Sequence, residues 1–163
     1  MKKFELTAES KINIFRKKLF RIKALISFGD VEEGETGGWI EKEENLEQSS
    51  GDAWVYGNAE VSGDAEVYGN ARVSGNARVS GNAEVSGNAD YTTIHGFGTQ
   101  FRTTTFFQCE DKQIRVSCGC FLGTIPEFRE QVKNTREGKI AEEYLMIADL
   151  MEKHFVKEKE SGE

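Results

Sequence analysis

Two histidines and three cysteines (His95, His154, Cys109, Cys118 and Cys120) are the side chains best suited to acid–base, nucleophilic or metal chemistry. The richest run of ligand-binding residue types starts at the first of them: His95-Gly96-Phe97-Gly98-Thr99-Gln100-Phe101-Arg102-Thr103-Thr104-Thr105. Glycines at 96 and 98 let backbone N–H groups come close to a ligand. Arg102, Thr103 and Thr104 supply donors for phosphate oxygens, and Phe97 or Phe101 supplies a face for a base. The same run also reads as a flexible junction leading into a threonine-rich edge strand. It carries no GxxxxGK[ST] motif, so nucleotide hydrolysis has no support. Cys109, Cys118 and Cys120 with one histidine would make a three-sulfur, one-nitrogen zinc set. Against zinc, strand alternation predicts Cys118 and Cys120 on one face beside Val116, packed as small apolar residues. His154 follows Leu150 and Met151 by four and three residues, which places it at the border of an apolar helical face in a structural role.

A strict repeat must position these residues. From Gly51 the chain reads GDAWVY, GNAEVS, GDAEVY, GNARVS, GNARVS, GNAEVS, GNADYT, seven hexads ending at Thr92. Alanine at the third place and valine at the fifth stand two apart, so an extended segment points both to one side. The residue between them (Trp54, Glu60, Glu66, Arg72, Arg78, Glu84, Asp90) is expected to face water. Glycine followed by Asn or Asp accepts positive φ, which turns the chain every six residues.

These hexads resemble the hexapeptide-repeat family, the left-handed parallel β-helix. The resemblance implies three hexads per coil, with positions 18 apart stacked at the strand spacing of about 4.8 Å. Glu60 then sits beneath Arg78 and Glu66 beneath Glu84, while Trp54, Arg72 and Asp90 share a face. It also implies self-association, with a homotrimer as the first expectation. Trp54, Tyr56, Tyr68, Arg72 and Arg78 are the interface candidates, the three aromatics because exposed aromatic side chains favour interfaces. Many members are acyltransferases with a histidine in the cleft between neighbouring coils. His95, just after the coil, is the one position here that matches, and the short stack leaves little room for an acyl-donor groove. Gly37 to Leu46 reads as an imperfect first coil. That segment and Val116 to Phe121 resemble parts of phage- and prophage-borne hexad proteins.

The fold expected is mainly β: a leader and imperfect coil over 1–50, the β-helix over 51–92, and an α/β (ββαα) cap over 93–163. Phe20, Ile22, Ala24 and Ile26 alternate as a strand in the leader. In the cap, 103–109 and 114–121 read as strands. Thr124-Ile125-Pro126-Glu127 reads as a capping box opening a helix with Ile125, Phe128 and Val132 inward. A second helix after Gly138 carries Ile140, Ala141, Tyr144, Leu145, Ile147, Ala148, Leu150, Met151 and Phe155 on one broad face. The tail from Lys157 to Glu163 is expected to fray.

Charge and composition narrow the function. Twenty-one Lys and Arg against 28 Asp and Glu argue against a general nucleic-acid binder. No apolar run is long enough to cross a bilayer, and the N-terminus lacks the apolar core of a secretion signal. Three cysteines make no disulfide framework, which suits a reducing cytoplasm. Residues 29–66 hold twelve acids and one base, Lys42, after a basic leader, so the leader is expected to dock on acidic surface. The reading is a non-catalytic, cofactor-free, self-associating binding protein, with an acyltransferase using His95 and a purely structural assembly protein as the alternatives. Its phage resemblance implies interference with host defence, by sequestering a small anionic nucleotide-type ligand or by occluding a host protein.

Overall fold

Alternation in the basic leader produces more strand than the sequence pattern shows. In the computed structural model, which describes residues 2–156, β1 (Phe4–Ile12) and β2 (Lys18–Ala24) form an antiparallel hairpin. Asn13 makes its turn by accepting the N–H groups of Phe15 and Lys17 on Oδ1, both at 2.9 Å. β2 pairs antiparallel with β3 (Thr36–Ile40). The expected fraying of 157–163 lies outside the described residues.

Six of the seven hexads form the parallel ladders that their spacing predicts. They give the two-residue strands β4 (Trp54–Val55), β5 (Glu60–Val61), β6 (Glu66–Val67), β7 (Arg72–Val73), β8 (Arg78–Val79) and β9 (Glu84–Val85). Each of β4, β5 and β6 pairs in parallel with the strand 18 residues on, Val55 with Val73, Val61 with Val79 and Val67 with Val85. The alanines from Ala53 to Ala83 and the valines from Val55 to Val85 are buried. The glycines that open these hexads hold φ between +58° and +74°. At Gly69 a Cβ would also lie 2.5 Å from the Ser86 carbonyl oxygen of the next rung.

The seventh hexad leaves the coil. Gly87 is extended at φ −158°, Asn88–Asp90 make a single 3-10 turn, and Tyr91 opens an antiparallel strand. At the other end β3 serves as the imperfect first rung, with Ile40 beside Val61 and Leu46 bridged to Val67. Both offsets are 21 (61 − 40 and 67 − 46), so three residues are inserted between Leu46 and Val55. The insertion carries Gln48, whose Oε1 accepts the N–H groups of Lys3 and Phe4 and whose Nε2 donates to the Phe4 carbonyl. One mixed sheet results, in the order β1-β2-β3-β5-β8.

Two outward hexad positions are not in water. Trp54 is fully buried, with Phe4 and Phe28 edge-on at 6.3 and 5.3 Å, because the leader folds over its face. It is therefore core, and not the exposed interface residue its place in the repeat suggests. Glu60 is buried beneath the hairpin and held by Lys11 at 3.0 Å and Arg78 at 3.9 Å. The leader does dock on acidic surface, through Lys11–Glu60 and Lys2–Glu43.

The C-terminal part has four strands, not the two expected. β10 (Tyr91–Phe97), β11 (Arg102–Gln108), β12 (Ile114–Cys118) and β13 (Phe121–Thr124) form an antiparallel meander. The supposed junction is thus the β10–β11 hairpin. Gly119, at φ +60°, splits the strand expected over 114–121, which separates Cys118 from Cys120. Thr124 and Glu127 form the capping box of α1 (Ile125–Thr135), and α2 (Gly138–Phe155) follows. Phe106 and Val116 pack against Phe128, Tyr144, Ile147, Ala148 and Met151 of the helices. Phe107 and Cys109, on the other face of the sheet, join the coil core. Leu150, expected on the apolar face of α2, is 56% exposed. Among the described residues no helix is long and apolar enough to cross a membrane.

The last rung ends in N–H groups with no further rung to accept them, and side chains take that place. Arg72 N–H donates to Asn88 Oδ1, Ser74 N–H to the Tyr91 hydroxyl, Arg78 N–H to Thr105 Oγ1 and Ser86 N–H to Asp90 Oδ2. Thr105 is 1% exposed, so Thr105→Val keeps the shape and leaves the Arg78 N–H unpaired. Its expected cost is about 1–3 kcal/mol, read as a lower urea midpoint at unchanged slope; an unchanged midpoint would refute the capping role.

Candidate functional site

The β10–β11 hairpin leans on the foot of the coil, and the two enclose a cleft of about 380 Å³. Its walls come from three parts of the chain. Asn76 and Arg78 belong to the last turn of the coil, and His95, Gln100, Arg102 and Thr103 to the hairpin. Ile14 reaches in from the β1–β2 turn, and Gly119 from the β12–β13 turn. Strand alternation explains the placement: His95 and Thr103 are register partners, and Thr105 on the same face touches the Arg78 backbone.

His95 Nδ1 lies 2.9 Å from Thr103 Oγ1, which orients the imidazole and leaves Nε2 for a ligand. Arg102 crosses directly over Gly119, where a Cβ would collide with its Nη1. Arg21, Arg72, Arg115 and Arg129 each hold a hydrogen-bonded or charged partner, whereas Arg102 holds none among the described residues. Among the described residues no carboxylate lines the cleft. Arg78 Nε lies 3.9 Å from Glu60, a carboxylate it shares with Lys11. Two guanidinium groups, an imidazole, a hydroxyl and two carboxamides therefore face one recess. Guanidinium forks and neutral polar donors are the groups that hold phosphate oxygens.

The structure brings together His95, Arg102 and Thr103 of the residues expected to bind ligand, and sends others elsewhere. Thr104 is buried on the helix side of the sheet and donates to Cys118 Sγ at 3.3 Å, because neighbours in a strand face opposite ways. Gly98 also serves the helices: a Cβ there would lie 2.6 Å from the Tyr144 hydroxyl. Gly96, at φ +98°, forms the bulge between His95 and Phe97 and is not part of the cleft lining. Phe101 stands exposed at the hairpin tip.

Arg78, expected on an oligomer surface, is a wall of the cleft. Arg72 is paired with Asp30 at 2.6 Å, and Tyr56 is half-buried against the core. Tyr68 is exposed beside Glu66 and Glu84, whose like-charge stack also faces Glu44 and Glu47 across an open recess. The cysteines do not converge. Cys109 is buried at the coil end, where burial pushes its thiol up, Cys118 is half-buried and Cys120 is exposed. Among the described residues no group of three or more His, Cys, Asp or Glu is arranged to hold a metal. His154 is exposed, with its ring 5.0 Å from that of Phe155.

Asn76, Gln100, Ile14 and Gly119 were not anticipated. Nothing local marks them, since the cleft exists only once the sheet meets the coil. Comparison of the chain with family models and with curated proteins finds no match.

Gly119 holds Arg102 in place, so Gly119→Ala is expected to act twice. A side chain at φ +60° costs roughly 1–2 kcal/mol, seen as a lower melting temperature. The displaced guanidinium also lowers anion affinity at temperatures where the variant stays folded. Unchanged affinity for pyrophosphate in calorimetry would show that Arg102 does not depend on this turn.

Proposed function

We propose that the protein is a non-catalytic binding protein of the left-handed parallel β-helix type that holds a small phosphate-bearing anion at the foot of its coil. The observation that carries the reading is the cleft itself. It collects Arg78, Arg102, His95, Thr103, Asn76 and Gln100 around one recess with no carboxylate in the lining among the described residues. The winding is inferred from glycine corners every six residues and from parallel ladders 18 residues apart. A static cradle of donors retains an anion without transforming it. In the phage setting that the hexads resemble, retention alone suffices to keep a small anionic signal from host defence.

Calorimetry on the full chain with pyrophosphate and ADP tests the reading. Binding is expected, and Arg102→Ala is expected to weaken it at least tenfold, as loss of a charged hydrogen bond of about 1.5–3 kcal/mol implies. An absence of heat with both probes would overturn the proposal.

Self-association belongs to the same proposal, on narrower grounds than the repeat suggests because Trp54 lies inside the subunit. Tyr68 remains as an exposed aromatic on the β6–β9 ladder. A homotrimer predicts a light-scattering mass of three chains that falls to one in Tyr68→Arg; a single-chain mass for the unaltered protein would remove the trimer.

A further inference from the structure

We infer that Phe101 is a specificity residue that reads a planar base, so that the ligand of the cleft is a nucleoside phosphate and not a bare phosphate or a sugar phosphate. This rests on the phosphate reading of the cleft and adds the other half of the ligand.

Three observations converge on Phe101. Its backbone sits at φ +52°, a left-handed conformation that a bulky side chain rarely adopts and that glycine or asparagine would hold more easily. Its ring is 64% exposed and makes no aromatic pair among the described residues, so packing does not repay the backbone strain. The residue lies at the exposed hairpin tip between Gln100 and Arg102, both of which line the cleft, so its backbone borders the recess although its ring is not part of the lining.

The comparison within the chain is informative. Arg16 and Lys112 are the other non-glycine residues with positive φ, and both are exposed charged side chains that water solvates. Phe101 alone among the three places an apolar ring there. Strain held where it adds nothing to packing points to a functional constraint.

The remaining lining suits a base. Ile14, 48% exposed, contributes an apolar surface from the β1–β2 turn. Gln100 and Asn76 carry carboxamides, each with both donor and acceptor atoms, which matches the mixed edges of nucleobases. Arg102, Arg78 and His95 take the phosphate. Stacking on an aromatic ring is worth between about fivefold and a hundredfold in affinity and tolerates any base.

Calorimetry of the full chain with pyrophosphate, ribose 5-phosphate and the four nucleoside monophosphates separates the two claims. The expected result is at least a fivefold preference for one or more nucleotides over ribose 5-phosphate. Phe101→Asn should reduce that preference to less than twofold and leave ribose 5-phosphate affinity within twofold. Because asparagine accepts the left-handed conformation, its melting temperature should stay level or rise.

A preference that survives in Phe101→Asn overturns the inference, as does equal wild-type affinity for nucleotide and sugar phosphate; both leave the phosphate cleft standing. Binding of none of the probes overturns the cleft reading itself. If Phe101→Asn changes the light-scattering mass while the nucleotide preference persists, Phe101 belongs to a contact between copies, and the inference fails.

Discussion

Parallel stacking gives this molecule two chemically different ends. In the coil the N–H groups of Trp54, Glu60 and Glu66 all donate towards the C-terminal rung, to the carbonyls of Ala71, Ala77 and Ala83. The first rung must therefore offer carbonyls, and the last must offer N–H groups. An unpaired buried backbone group costs about as much as a lost hydrogen bond, so each end needs partners of the opposite kind. Donors cover the carbonyl end: Lys3 Nζ reaches the Ala53 carbonyl, and Arg21 Nη1 those of Gly37 and Gly57. Acceptors cover the N–H end, through Asn88, Tyr91, Asp90 and Thr105.

This polarity accounts for the charge asymmetry of the chain better than attraction between basic and acidic segments does. Lys3 is nearly inaccessible, and burial pushes its amine below the usual lysine range, so it is not placed there to satisfy a surface charge. Its ammonium supplies the donor that an open carbonyl edge lacks, and Phe28 lies 4.7 Å beneath it. Gln48 holds the same segment by mimicking a strand neighbour, with one amide accepting two N–H groups and returning one. Trp54 is covered as a result. At the other end, N–H groups that point out of the stack favour negative partners, and the cleft with its two arginines opens beside them.

How legible each part was follows from how local its cause is. The hexads state their own geometry, because alanine and valine two apart and glycine at each corner act within six residues. The α1 cap is equally local, since Thr124 and Glu127 satisfy each other. The departures come from contacts made at a distance. Nothing near Trp54 announces that Phe4 and Phe28 will cover it, and Glu60 is drawn inside by a hairpin nearly fifty residues earlier. The last hexad keeps Gly87, Asn88 and Ala89 but has Tyr91 where the others have valine, and it leaves the coil with Asn88, Asp90 and Tyr91 used as edge partners. In the site, His95, Arg102 and Thr103 were readable as residue types gathered in one run. Thr104 was misplaced because a run of composition does not show which face each member takes. Asn76 and Arg78 join the site only through the coil.

The mixed sheet β1-β2-β3-β5-β8 has a consequence for how such a body can change its length. Successive hexads belong to three separate parallel ladders, each pairing strands 18 residues apart, so adding or deleting one would move everything beyond it onto a different ladder. The segment that meets the leader would then belong to a different ladder from the segment that meets the C-terminal sheet. Glu60 would no longer lie under Lys11, and Arg78 would leave His95. Growth by three hexads at a time preserves those alignments and simply moves the two ends apart. The extra three residues around Gln48 escape the rule because they bulge at a corner, leaving the phase of the strands on either side intact. Length in this architecture therefore comes in steps, and the leader and the C-terminal sheet together set the step.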